Sequence, residues 1–206
     1  MRLRVSFAAI LFVLVQGCAS DSEPEPTDFT ALEPVKEMGH SVEGPWTPLD
    51  GGITNMVPSD VPVKDGQVRD GSGVSTALQR GFNARDVDLE ATVIFDGVGA
   101  PSLVFRATEN DGVVNNMYSV ALYREGINIW RMVEGRWVLL EARAVPLQPR
   151  TAYSLRVTAD KVRILVFLNG ERASELLDDS HLKEGRAGIR AIEGPCKISG
   201  LRISKL

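Results

Sequence analysis

Alternating apolar and polar residues give several stretches of this chain a period of two. From Val87 to Phe95 every odd-numbered position is apolar, and the positions between them are mostly polar. Tyr153 to Thr158 alternates in the same way. Successive side chains of a β-strand point to opposite faces, so this pattern predicts strands with one buried and one solvated face.

Further stretches rich in β-branched and aromatic residues predict more strands. No window of helical length carries a sustained apolar stripe, and turn signals separate the stretches. The additional predicted strands are Ser102–Ala107, Met117–Arg124, Ile127–Val133, Arg136–Ala142, Val162–Leu168, Arg172–Leu176, Ala187–Ile192 and Lys197–Ile203. Many short strands with such spacing predict an all-β protein built as a two-sheet sandwich or jelly roll.

Dipeptides ending in glycine mark the turns between these strands. Asn169-Gly170 suits a two-residue type I′ hairpin, in which both central residues need positive φ. Asp111-Gly112, Glu125-Gly126 and Glu134-Gly135 divide the middle of the chain in the same manner. Neighbouring strands are therefore expected to be antiparallel.

The N-terminus has the order of a secretory signal. Arg2 and Arg4 precede an apolar stretch from Val5 to Val15, which is shorter than the roughly 20 residues that a membrane-spanning helix needs. The following Val15-Gln16-Gly17-Cys18 resembles the bacterial lipobox, although Gln16 is less usual at its position. That resemblance implies a diacylated Cys18 and a lipid anchor in a membrane.

Composition divides the chain into a signal peptide (residues 1–17), an acidic, proline-containing tether (18–44) and a β-domain (45–206). Seven of the 27 acidic residues lie between positions 19 and 44, against one lysine. Once Arg2 and Arg4 are also set aside, the domain keeps 20 acidic and 20 basic residues. This balance provides no electrostatic footprint for nucleic acid.

The two cysteines and the residues after the lipobox bear on location. If Cys18 is acylated, Cys196 cannot form an intramolecular disulfide, and we expect Cys196 to be a small buried strand residue. Ala19-Ser20 lacks the aspartate that retains some lipoproteins at the inner membrane. The expected location is therefore the bacterial cell envelope outside the cytoplasm, with the outer membrane favoured over the inner.

The running order of several strands resembles that of the concanavalin A-like lectin/glucanase sandwiches, with the closest likeness to 3-keto-disaccharide hydrolase domains. The segments that carry the resemblance are Ser102–Arg106, Tyr118–Tyr123, Ile127–Trp130, Tyr153–Val157, Val166–Gly170 and Gly185–Arg190. The resemblance implies a jelly roll with a concave sheet on which a carbohydrate would lie.

The chain departs from the hydrolase-like members at a position that matters for catalysis. In those members an Asn-Ser-Gly precedes the strand ending in Arg, and a Gly-Tyr-Glu begins the next strand. Here Ala100-Pro101-Ser102 and Met117-Tyr118-Ser119 stand in those places. Arg106 and Tyr118 match the pattern, but Ser119 replaces the carboxylate, which favours a non-catalytic binding protein.

Sugar contacts need aromatic rings beside polar groups, because sugar C–H faces pack on rings while hydroxyls take hydrogen bonds. The candidate ligand-binding residues are Arg106, Tyr118, Asn128 and Trp130. If Asn128, Trp130 and Met132 line the concave face, alternation places Ile127 and Ile129 in the core. The alternative is that Trp130, Trp137 and Tyr118 only pack within the sandwich.

The candidate catalytic residues are Asp88 and Glu90, in a run that resembles the Glu-x-Asp-x-Glu arrangement of related glucanases but begins with Asp86. Retaining glycosidases need two carboxyl groups about 5 Å apart. With Arg106, they would support a hydrolase acting on 3-keto-glycosides. The favoured alternative is an ordinary solvated strand face.

No cofactor is expected. His40 and His181 are too few for a zinc cluster. The loops around Glu109–Asn116 and Asp178-Asp179 have oxygen ligands that suit calcium, although turn chemistry explains them better. The sequence thus predicts a lipid-anchored protein that binds glycans without catalysis, with a 3-keto-glycoside hydrolase or a structural or adhesive envelope protein as alternatives.

Overall fold

The structure, a computed structural model, describes residues 25–40, 44–56, 73–180 and 183–206. The predicted signal peptide and Cys18 lie outside these residues. Within them the chain forms β-strands and one short 3-10 turn, Phe29–Ala31. No helix in the described ranges has the length and apolar character needed to cross a membrane.

The strands follow one another through the described part of the chain. In chain order they are β1 (Leu32–Glu37), β2 (Thr47–Leu49), β3 (Gly52–Thr54), β4 (Val74–Gln79), β5 (Val87–Phe95), β6 (Ser102–Asn110), β7 (Val113–Tyr123), β8 (Gly126–Val133), β9 (Arg136–Ala144), β10 (Tyr153–Asp160), β11 (Arg163–Leu168), β12 (Glu171–Leu177), β13 (Arg186–Ile192) and β14 (Cys196–Lys205).

The described strands form two sheets. Sheet I has the spatial order β1-β4-β13-β6-β7-β8-β9, and sheet II has the order β12-β11-β10-β5-β14-β3-β2. All pairings within these orders are antiparallel. The all-β sandwich predicted from the period-two pattern is confirmed.

The core lies between the inner faces of the two sheets. In β5 the odd-numbered residues are buried and the even-numbered ones half-buried, as the alternation predicted. They pack against inward residues of sheet I such as Val120 and Ile129. The hairpin between β11 and β12 turns at Asn169 and Gly170 with φ of 51° and 82°, which fits the predicted type I′ turn.

One strand lies where the sequence predicted a spacer. β1 pairs with the edge of β4 and then, through Lys36 and Glu37, runs parallel to the start of β7. Composition missed this strand because its stability depends on a distant partner: the buried Glu37 carboxylate binds Arg190, 153 residues further along the chain. Pro34 is tolerated because β1 is an edge strand.

Candidate functional site

A cleft of about 570 Å³ opens on the outer face of sheet I. Its floor comes from alternate residues of β7, β8 and β13, whose remaining residues fill the core. In β13, for example, Ile189 and Ala191 lie in the core, whereas Arg190 and Ile192 line the cleft. The volume falls within the range of ~300–1,000 Å³ that is typical of small-molecule sites.

Three aromatic side chains line the cleft. Trp130 on β8 lies directly opposite Ser119 on β7. Tyr123 follows Ala121 by two residues on β7, so both lie on the strand face that carries Ser119. Trp137 on β9 lies opposite Met132 and completes the set. All three rings are half-buried, so part of each ring surface faces the open space.

A buried ion pair forms the charged part of the floor. Arg190 donates from Nε to Glu37 Oε1 at 2.7 Å and from Nη2 to Glu37 Oε2 at 3.0 Å. The Thr76 hydroxyl donates to the same carboxylate. The Arg190 guanidinium also lies 4.7 Å from the centre of the Trp137 ring. The two side chains are only 6% and 1% exposed, so the geometry is fixed by packing as well as by charge.

Burial favours the neutral form of two titratable side chains at the cleft. Burial lowers the pKa of His40, whose Nε2 lies 3.8 Å from Glu37 Oε2. Burial also raises the pKa of Tyr123, against the opposing effect of the Arg190 cation. A neutral imidazole and a neutral phenol can each donate and accept a hydrogen bond.

Ser119 has an unusual position on the floor. Its side chain is 1% exposed, and its hydroxyl oxygen has no hydrogen-bond partner among the described residues. A buried polar group without a partner costs about 1–3 kcal/mol. Ser119 lines the cleft, but its hydroxyl oxygen has almost no surface open to it, so a ligand would form the missing hydrogen bond only if the side chain rotated.

The sequence-predicted ligand-binding residues separate into two groups. Trp130 lies in the cleft, and Asn128 lies on the same face of β8, opposite Ala121. Ile127 and Ile129 fill the core, as the alternation predicted.

Arg106 and Tyr118, by contrast, lie between the sheets. Arg106 has a left-handed φ of 51° at a β-bulge and is fully buried. Its side chain donates to the carbonyl oxygens of Arg85 at 2.7 Å and Lys161 at 2.6 Å. Tyr118 stacks on Phe105, with ring centres 5.2 Å apart. This placement corrects the expectation that the pair faces the concave surface: both residues tie the two sheets together.

The candidate catalytic carboxylates lie on the other side of the sandwich. Asp88 accepts two hydrogen bonds from Arg156, at 2.9 and 2.7 Å, on the outer face of sheet II. Glu90 accepts from the Ser154 hydroxyl at 3.0 Å on the same face. The whole core separates them from the cleft, so the structure does not bring them together with Trp130 or Arg190.

Comparisons with known proteins identify the architecture. No protein-family model matches the chain, and no curated protein matches it. The carbohydrate binding module CBM66 from Bacillus subtilis superposes with a TM-score of 0.67 and 18% identity, over 88% of this chain and all of that one. The fold is a concanavalin A-like jelly roll.

Two further solved structures share this jelly roll. A Bacillus licheniformis beta-glucanase gives a TM-score of 0.62 at 10% identity and covers 89% of this chain and 96% of its own. A Bacillus subtilis protein of unknown function with a galectin-like fold gives 0.53 at 14% identity, over 67% and 80% of the two chains.

Other predicted chemistry appears as packing and turn contacts. Asp178 accepts hydrogen bonds from Arg131 and from the backbone N–H of Ser180, the latter forming a local turn. In the described ranges no group of three or more His, Cys, Asp and Glu side chains is placed to hold a metal ion. Cys196 is buried, as expected, and burial raises its pKa to about 12. His181 lies outside the described residues.

Sequence reasoning missed Arg190, Glu37 and Tyr123 as cleft residues. Alternation could have identified Tyr123, because it lies four residues after Ser119 on β7 and therefore on the same face of the strand. Arg190 stood in a recognised segment, but its role depends on Glu37 in the supposed tether. Local sequence contains no indication of that pairing.

Proposed function

We propose that this protein is a lipid-anchored lipoprotein of the bacterial cell envelope that binds glycans without catalysis. The observation that carries the proposal is the cleft on sheet I, which combines three aromatic rings with the polar side chains of Arg190 and His40. Sugars present apolar C–H faces and many hydroxyls, and this combination of groups suits both.

The arrangement of carboxylates supports binding rather than hydrolysis. Glycoside hydrolysis uses two carboxyl groups on either side of the scissile bond. Glu193 is the one carboxylate among the described residues that line the cleft, so it has no second carboxylate there to form a pair. Both oxygens of Glu37 are engaged by Arg190, and Asp88 and Glu90 lie on the opposite side of the sandwich. Ser119 stands on the cleft floor where the hydrolase-like members carry a glutamate, so the position that would supply an acid supplies a hydroxyl.

Two further observations support the proposal. Similar solved structures include a protein named as a carbohydrate binding module. The lipobox-like Val15-Gln16-Gly17-Cys18 supports anchoring through an acylated Cys18, with the outer membrane as the favoured site. Cys18→Ala should move the protein from the membrane fraction to the soluble fraction of cells. Unchanged membrane association would exclude the lipid anchor.

Binding is tested with the full-length protein in detergent on an array of neutral glycans, followed by calorimetric titration of the hits. Trp130→Ala should weaken binding at least about tenfold, which corresponds to ~1.4 kcal/mol. Phe167→Ala is the matched control, because this half-buried ring packs under Arg156 on the outer face of sheet II. An equal loss in both variants, or no glycan binding, would reject the proposal.

Sugar release from 3-keto-disaccharides would favour the hydrolase instead, and co-purification of envelope proteins without sugar binding would favour a structural or adhesive role.

A further inference from the structure

One end of the outer face of sheet I is filled by the sheet's own apolar side chains. We call this cluster the apolar plug; its members are 0–2% exposed, and they are Leu78, Val104, Ala107, Val114, Met117 and Met132. Met117 lies opposite Met132 across β7 and β8, two residues from Ser119 on the cleft floor. The plug and the floor are therefore successive parts of one surface.

The segment that contains β1 covers the plug. Val35 packs against the plug, and Lys36 and Glu37 pair with the start of β7. The Met38 N–H then donates to the Val114 carbonyl oxygen at 2.9 Å. The Met38 side chain lies so close to Gly135 that a Cβ there would meet it at 2.6 Å. Backbone hydrogen bonds and packing thus close this end of the face.

A second side of the cleft is also bordered. Gly39 and His40, which directly follow β1 and Met38, line the cleft together with Gly73, which directly precedes β4. Gly73 lies at the start of β4, and His40 Nε2 lies 3.8 Å from the Glu37 carboxylate, which also binds Thr76 of β4. Tyr123 lines the cleft at the far end of β7 from the plug, so a ligand lying along the strands would have the plug at one end and Tyr123 at the other.

Resting on the proposed function, we propose that the cleft recognises the end of a neutral oligosaccharide chain and does not bind a chain through its interior. A polymer that lay along the strands and continued in both directions would collide with the plug and the β1 segment that covers it. The terminal unit instead packs on Trp130 beside the plug, while the following units extend past Tyr123. A neutral sugar fits because Glu37 already balances the Arg190 charge.

The test compares chain ends with chain length. Full-length protein in detergent is titrated with gluco-, xylo-, manno- and fructo-oligosaccharides from the monosaccharide to the hexasaccharide. It is also titrated with mixed-linkage glucan, xylan, galactomannan and inulin, each before and after limited acid hydrolysis. We expect the affinity to stop rising at short oligosaccharides, and the number of sites per gram of polysaccharide to increase in proportion to the chain ends produced.

Two other results overturn the inference in distinguishable ways. If the affinity rises up to the hexasaccharide and the capacity follows polymer mass, the cleft binds chain interiors, and the proposed glycan-binding function stands without this inference. If no member of the panel binds, or if Trp130→Ala leaves binding unchanged, the proposed function fails and this inference fails with it.

Discussion

Replacing Glu37 with glutamine tests whether the N-terminal strand holds the cleft together. The substitution keeps the shape of the side chain and removes its charge. Arg190, only 6% exposed, then keeps a full charge beside an amide that accepts one of its two hydrogen bonds. Thr76 also loses a charged acceptor.

The expected cost follows from the burial of the pair. Breaking a buried ion pair by removing one partner costs about 3–5 kcal/mol, because the remaining charge is left buried without compensation. Glutamine retains some hydrogen bonding, so we expect a loss near the lower end, about 3 kcal/mol. For a protein of this size, each kcal/mol shifts Tm by ~2–4 °C, which predicts a decrease of about 6–12 °C.

The measurement is thermal unfolding at neutral pH, with Glu175→Gln as the matched control. Glu175 also binds an arginine, Arg163 at 2.8 Å, but the two side chains are 36% and 49% exposed. An exposed pair contributes about 0–1 kcal/mol, so the control should shift Tm by only a few degrees. Equal shifts in the two variants would refute the reasoning. The double variant Glu37→Leu with Arg190→Leu should be more stable than either single leucine variant, since it leaves no unpaired charge.

Three other predictions concern residues outside the cleft. In a Cys18→Ser background, Cys196 should react with a thiol reagent at about pH 8 only after denaturant is added, because burial raises its pKa to about 12; rapid labelling of the native protein would contradict this. Burial also raises the pKa of Tyr118 from 10.0 to about 12, so the free energy of unfolding should fall as pH rises from ~10 towards ~12. Urea titrations across this pH range should show a smaller decrease for Tyr118→Phe. Asp88→Asn should cost no more than about 1 kcal/mol and leave glycan affinity unchanged, because its partner Arg156 is 48% exposed; loss of binding by calorimetry would place Asp88 in a site.

The sequence predicted the strands whose pattern is contained within the strand itself or in the adjacent turn. β5 and β10 alternate over their whole length, and the Asn169-Gly170 turn needs only its own two residues. The early strands were not predicted because they are short or of mixed composition. β2 and β3 have three residues each, and β1 has a proline and a buried carboxylate.

The site was predicted in part for a related reason. Alternation separated Asn128 and Trp130 from the core residues Ile127 and Ile129, and the structure keeps this division because β8 pairs regularly with β7 along that stretch. Arg106 follows Val104 by two residues and would share its face in a regular strand, but the bulge and the left-handed φ turn its side chain into the interior. A single backbone irregularity thus moved a candidate ligand contact into the core.

The same comparison explains why the cleft has its particular shape. A jelly roll by itself presents an open sheet face, and the strands foreseen from alternation would leave that face exposed. β1 changes this face, since it covers the plug, supplies Glu37 to Arg190 and brings His40 to the border. Residues 32–37 lie within the segment predicted as the lipid tether, so part of that segment is a strand that shapes the cleft. Any change that detaches β1 should therefore alter the stability of the domain and, if the cleft binds glycans as proposed, the length of glycan that it accepts.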